Sequence, residues 1–265
     1  MISIIRNNWT LKICTIYFND EQKPIPSNTD IIGYVQQTPA DGKLDPFITF
    51  HVDLSKEENE LFANMNRSTK NQVNRALQKD GFLFEGNSCP SDSDLLTFQN
   101  FYNKFAIGKK TNLCSSYHME TMKRFRENSG LYLTKALDKN GKILCMHIYI
   151  SDNKRAAMLY SASHFRSMQE RDSRKEIARA NRFLHWEGIR FFKNLRMQIY
   201  DLGGITDQPS IENFKRGFGG MKVIEYSGYI PLSWKGSLIL YLRKIKTRKG
   251  GRKFVKPERH LRHLT

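Results

Sequence analysis

Residues 197–202 form an apolar run that enters the pair Gly203-Gly204, and this run limits the fold more than any other stretch of the chain. Met197 to Leu202 reads as a buried strand that ends at the glycines. Five of the chain's 17 glycines fall between Gly203 and Gly220, and Phe214-Lys215 stands just before the second cluster. Glycine is used where the backbone takes a positive φ or where another group must come close to it. A strand end opening at Gly203-Gly204, with a lysine brought back beside it, makes the floor and wall of a substrate site.

The segments before and after this strand set its surroundings. A helix is expected over 174–194, with Ile177, Ala180, Leu184, Gly188 and Phe191 on one stripe. Ahead of it, runs at 131–136, 143–151 and 156–161, separated by Asn140-Gly141 and Asp152-Asn153, read as a three-stranded antiparallel meander. A short helix over 211–217, a strand over 222–229 and a last helix over 238–246 follow. Toward the start, a strand at 48–53 leads to a Ser55–Glu58 capping-box pattern and one helix running to Asp80-Gly81. A strand at 82–85 and helices near 93–106 and 115–128 come next. The order is α+β: a mixed, mostly antiparallel twisted sheet flanked by helices. The expected units are 1–110, 111–234 and a basic tail, 235–265.

Composition excludes several classes. Apolar content of 39% and aromatic content of 12% describe a globular chain. Cys14, Cys89, Cys114 and Cys145 are scattered without CxxC or His/Cys ligand spacing, so neither a metal site nor a disulfide framework is expected. The apolar start is broken by Arg6 and Lys12, and 238–242 falls far short of the roughly 20 residues a membrane helix needs. A cytoplasmic protein is expected. Its net charge of +17 is uneven: 235–262 holds eleven Lys/Arg against Glu258, while residues 1–234 carry 32 basic and 25 acidic side chains. Such a tail favours an anionic partner, whether phosphate, RNA or the anionic inner face of a membrane.

The order from 131 to 229 is similar to the GNAT acyltransferase core, in which two strands after the meander splay to admit an acyl donor. More specifically, the chain resembles the Fem family of peptidoglycan aminoacyltransferases. The likeness lies in Tyr200-Asp201-Leu202-Gly203-Gly204-Ile205, in Phe214-Lys215-Arg216-Gly217-Phe218-Gly219-Gly220 and in Ala180 to Trp186. A weaker match runs from Met65 to Gly81. The resemblance implies a shortened N-terminal GNAT-like unit ahead of a complete one. It also implies attack by an amine on an activated acyl carbonyl, with an aminoacyl-tRNA as donor and an envelope precursor (peptidoglycan or polysaccharide unit) as acceptor. By that likeness Lys215, with Phe214 before it, stands at the reacting centre and stabilises the developing oxyanion or the donor's charge; the alternative is a solvated lysine at a helix end, complementing the dipole.

Other site residues follow from the chemistry of the residues themselves. Asp201 at the end of a buried strand is either a base or orienter for the amine, or a turn residue accepting N–H bonds from Gly203 or Gly204. Gly203 and Gly204 permit close approach to the acyl chain. Asn181 and His185, four apart, share a helix face, where they line an acceptor site or satisfy neighbouring backbone; a histidine there is also a candidate acceptor for the amine proton. Arg179 and Arg182 are candidates for phosphate or simply an exposed helix face, and His164, after the third meander strand, is a weaker candidate of the same kind as His185.

The donor has one sequence signal. Residues 165–174 lack the glycines with which CoA-using GNAT enzymes hold pyrophosphate, leaving Arg166, Arg171 and Arg174 as side-chain alternatives. No cofactor is expected beyond the acyl donor as co-substrate, aminoacyl-tRNA ahead of acyl-CoA. Two rival functions remain: an acyl-CoA-dependent N-acetyltransferase acting on an amino sugar, and a non-catalytic RNA-binding protein using the tail.

Overall fold

Alternating side chains build the meander where the sequence predicts it. In the computed structural model β6 (Leu131–Leu137), β7 (Ile143–Ser151) and β8 (Arg155–Ser163) pair antiparallel. β7 is buried at all but its first residue, the mark of a strand covered on both faces. The structure describes residues 1–8, 10–19, 26–38, 44–164, 170–205 and 208–249. Outside the described residues lie residues 165–169 of the glycine-free segment, including Arg166, and the tail from 250.

The described chain forms two compact units. The larger comprises 50–203 and 210–221. Within it, α5 (Arg171–Asn194) returns the chain from β8 to β9 (Ile199–Asp201), which pairs parallel to β8. A crossover helix is what a parallel pair requires. Ile177, Ala180, Leu184, Gly188 and Phe192 bury one stripe of that helix. β4 (Asp45–Asp53) adds antiparallel on the other side of β9, matching His51 with Asp201. β9 is three residues long, shorter than the 197–202 run. β8 continues to Ser163, but its register with β9 stops at Ala157–Asp201. The ladder between the two parallel strands ends at Asp201, although a Cβ on Gly203 would still lie 3.1 Å from the Met158 carbonyl oxygen of β8.

The helical region before the meander differs from expectation. Ser55 does not cap a helix; its N–H and hydroxyl both bond the Asp53 carboxylate. The expected single helix is split into α1 (Glu58–Ala63) and α2 (Arg67–Arg75), because Asn66 accepts the Thr69 N–H and starts a new helix. A π-helical turn, Ala76–Asp80, ends at Gly81, as the sequence predicts. β5 (Leu83–Asn87), α3 (Asp92–Lys109) and α4 (Ser116–Glu127) follow. α3 starts with a reciprocal Ser91–Asp94 capping box. α6 (Pro209–Arg216) completes this unit.

The smaller unit holds 1–49, 204–209 and the chain from 222. β1 (Ile2–Asn8) pairs antiparallel with β2 (Leu11–Tyr17), β2 pairs parallel with β3 (Ile31–Gln37), and β3 pairs antiparallel with β10 (Met221–Pro231). α7 (Trp234–Lys249) follows β10. This grouping cuts across the boundaries expected at 110 and 234. β5 pairs with β6 and α2 packs on α5, so residues 50–110 join the meander rather than the chain start.

Candidate functional site

β9 ends at Asp201, which is fully buried. A carboxylate there needs hydrogen bonds to offset its lost hydration. It accepts the Gly203 N–H at 2.8 Å, and its second oxygen lies 3.5 Å from Nε2 of His51. This is the turn geometry weighed as the alternative for Asp201, with a histidine added. Gly203 sits at φ +76, and a Cβ there would lie 3.1 Å from the Met158 carbonyl oxygen, so the turn favours glycine on two counts. The Gly203 carbonyl accepts from Nζ of Lys215 at 2.5 Å. The Gly203 residue is thus held at its N–H by an acid and at its carbonyl by an ammonium, just past the end of the β8–β9 ladder. Lys215 is half-buried in the last turn of α6 rather than a solvated lysine at a helix end. Gly204 belongs to the smaller unit, and a Cβ on it would meet the Phe47 ring at 2.5 Å.

On α5, Asn181 and His185 face a buried polar chain of which the sequence reading named only the two ends. Oδ1 of Asn181 meets Nε2 of His147 at 2.9 Å, and Nδ1 of His147 meets the Tyr149 hydroxyl at 3.0 Å. That hydroxyl lies 2.7 Å from the Tyr200 hydroxyl, which lies 3.0 Å from Nδ1 of His185. Gly188 lets α5 settle on the phenols: a Cβ there would stand 3.3 Å from both oxygens. Burial pushes the His147 pKa down to about 4. Burial, then His147, Lys215 and Arg182, hold His185 well below the ordinary histidine value. His185 is therefore a neutral imidazole at pH 7, suited to accept a hydrogen bond and poorly suited to keep a proton from an amine.

Phe214 links the two groups. Its ring packs edge-on to His185 at 5.3 Å and carries the Arg182 guanidinium at 5.0 Å from its centre. Arg182 donates to the Ala178 carbonyl, its Nε is buried without a hydrogen-bond partner among the described residues, and burial lowers its pKa. Lys215, Phe214, Arg182, His185 and Asn181 are thus brought to one region, with Asp201 and Gly203 at the strand end.

Two expected residues are placed elsewhere. Arg179 is engaged by both oxygens of Asp80, which answers the charge that a phosphate would have met. His164 packs edge-on to Phe101 of α3 at 4.1 Å, and burial, Lys104 and Lys142 lower its pKa. The sequence reading passed over His51, His147, Tyr149 and Tyr200. The signal for two of them is period two: Cys145, His147, Tyr149 and Ser151 alternate along one face of a buried strand.

The parallel pair, the crossover helix and the antiparallel meander make a fold of the kind seen in FemX. No protein-family model matches the chain, and no curated protein matches its sequence. Among solved structures it is similar to FemX, with a TM-score of 0.64 at 12% identity over 91% of this chain and 86% of that one. It is also similar to a chain assigned as the C-terminal domain of a lysylphosphatidylglycerol synthetase from Agrobacterium fabrum, with a TM-score of 0.55, 14% identity and coverage of 96% and 87%. L-PGS from Bacillus licheniformis follows at a TM-score of 0.50 and 11% identity, over 83% and 74% of the two chains.

Proposed function

We propose that the chain is a Fem-like aminoacyltransferase that forms an amide on a cell-envelope precursor, with an aminoacyl-tRNA as donor. The observation that carries this reading is the half-buried Lys215 ammonium on the Gly203 carbonyl, just past the end of the β8–β9 ladder. An acyl group entering between the strands would present its carbonyl there. The acceptor amine attacks the ester carbon, a C–N bond forms, and negative charge gathers on the carbonyl oxygen. Lys215 stabilises that oxygen, an effect of a few kcal/mol where a single oxyanion donor is concerned. The C–O bond to the donor sugar then breaks with its electron pair on the sugar oxygen, which takes up the proton lost by the amine. Asp201 and His51 hold the Gly203 turn, and through it the lysine.

The likeness to FemX, and to a synthetase whose name specifies an aminoacylated lipid, supports an envelope acceptor. α7 supports a reading in which the acceptor is met at an anionic membrane surface. Trp234 (73% exposed), Leu238, Tyr241 and Leu242 form an exposed apolar stripe on a helix that also carries Lys235 and Lys244. No described helix is long and apolar enough to cross a membrane.

The test is transfer of a radiolabelled amino acid from charged tRNA to lipid-linked or nucleotide-linked peptidoglycan precursors, with acyl-CoA in a parallel arm. Transfer from tRNA that Lys215→Ala abolishes is the expected result. Transfer from acyl-CoA alone replaces the donor, and RNA binding without transfer, unchanged in Lys215→Ala, removes the enzymatic reading. Sedimentation with anionic vesicles at low salt should be lost in Trp234→Ser/Leu238→Ser; sedimentation unchanged by that pair sinks the docking role of α7.

A further inference from the structure

The buried chain from Asn181 to His185 has one end that sets the direction of every bond in it. Asn181 meets His147 through its amide oxygen, and an amide oxygen can only accept. Nε2 of His147 therefore carries the ring proton, and Nδ1 of this neutral ring is an acceptor. The Tyr149 hydroxyl must donate to that nitrogen. With its one proton committed, Tyr149 accepts from Tyr200, and Tyr200 accepts from Nδ1 of His185. The proton of His185 is thereby placed on Nδ1, and Nε2 is bare. Lys215 and Arg182 act on the same ring, and a cation is met better by a lone pair than by an N–H. The ring itself is clasped by Phe214 and Phe218, at centroid distances of 5.3 and 4.9 Å.

We propose that Asn181, His147, Tyr149 and Tyr200 are positioning residues that lock His185 in its Nδ1–H tautomer, so that Nε2 accepts a hydrogen bond from the attacking amine beside Phe214 and Lys215. The catalytic half of this proposal rests on the aminoacyl-transfer reading; the tautomer does not. Directionality is the reason for a relay of neutral groups. A histidine free of such partners exchanges between tautomers, and its Nε2–H population would offer an N–H to an incoming N–H. A chain closed at an acceptor-only end removes that population. Each member is held by packing: Tyr149 and Tyr200 are fully buried, and Gly188 leaves room for their paired oxygens.

The tautomer is read directly by long-range proton–nitrogen NMR on protein labelled at histidine with ¹⁵N, with the His185 signals assigned by their loss in His185→Gln. At pH 7 the wild type should show a protonated Nδ1 and a bare Nε2. Tyr200→Phe removes the acceptor for Nδ1–H and should give a mixed or reversed tautomer. Asn181→Leu, at the half-buried end, should do the same and serves if the buried tyrosine variant fails to fold. In the transfer assay each variant should lower kcat by about 10- to 100-fold, the size of a misplaced reacting group, with KM little changed. A wild-type proton on Nε2, or a His185 tautomer unmoved in both variants, overturns the lock. A confirmed tautomer with kcat unchanged in both variants overturns the catalytic half and leaves the lock standing.

Discussion

Tyr200 and Asp201 are neighbours on one short strand and serve two networks built on different principles. Asp201 works through backbone: its carboxylate takes the Gly203 N–H, and Lys215 takes the Gly203 carbonyl. Tyr200 works through side chains alone, joining Tyr149 and His185 inside the core. Successive residues of a strand point to opposite faces, so one dipeptide reaches both. The clamp holds formal charges, and it keeps the ammonium half-buried at the strand end. The chain holds no charge at neutral pH and is buried except at its Asn181 end. A cation near the surface retains part of its solvation and can meet a substrate. A polar chain in the core must satisfy every proton it carries, and that demand makes it directional.

Removing the clamp's cation should give the largest effect. Lys215→Ala is expected to lower transfer by about 100- to 1,000-fold with the melting temperature little changed. A parallel loss of stability would instead mark the lysine as a structural brace. Acid should act on the neutral chain. Both buried histidines have folded pKa values below the unfolded value, so their stabilisation is complete above pH 6.5. It is lost as pH falls, for His147 toward its folded value of about 4. His147 alone accounts for about 3 kcal/mol over that window. Urea midpoints at pH 7.5, 6 and 5 should fall steeply in the wild type and more shallowly in His147→Gln.

Gly203→Ala strains the clamp while keeping both charged side chains, although its Cβ would lie 3.6 Å from Nζ of Lys215. At φ +76 and against the Met158 carbonyl it should cost about 1–2 kcal/mol, read as a drop in the urea midpoint. Gly188→Ala should have the smallest effect on stability. Alanine's helix propensity, worth up to about 1 kcal/mol, offsets a Cβ placed 3.3 Å from the two phenol oxygens. Its signature should appear in the His185 tautomer instead; a wild-type tautomer in Gly188→Ala would separate the close helix approach from the hydrogen-bond chain.

Much of the fold was legible locally. The meander, the long helix and the turn at Gly81 follow from period-two and period-3.6 spacing with glycine stops. The break between α1 and α2 was not, because Ser55 and Asn66 both have cap chemistry and the choice depends on which has a competing partner. Asp53 occupies Ser55, while Asn66 is left to cap Thr69. In the site, Lys215 and Gly203 stood out by their setting between glycines. His147 and Tyr149 did not, since a buried histidine and tyrosine on a strand look like core until their partners are known.

By itself the sequence determined which segments become strands and helices, where the chain must turn with positive φ, and that a lysine follows the glycine-ended strand at close spacing. Those properties depend on neighbours a few residues apart, where propensity and sterics act. Only the tertiary structure decided that Lys215 reaches the Gly203 carbonyl, that Arg179 is taken by Asp80, and that residues from 147 to 200 share one line of hydrogen bonds. Such contacts depend on strand register and helix docking across tens of residues. A one-residue change of register would turn Tyr200 and Asp201 to each other's faces and dissolve both networks.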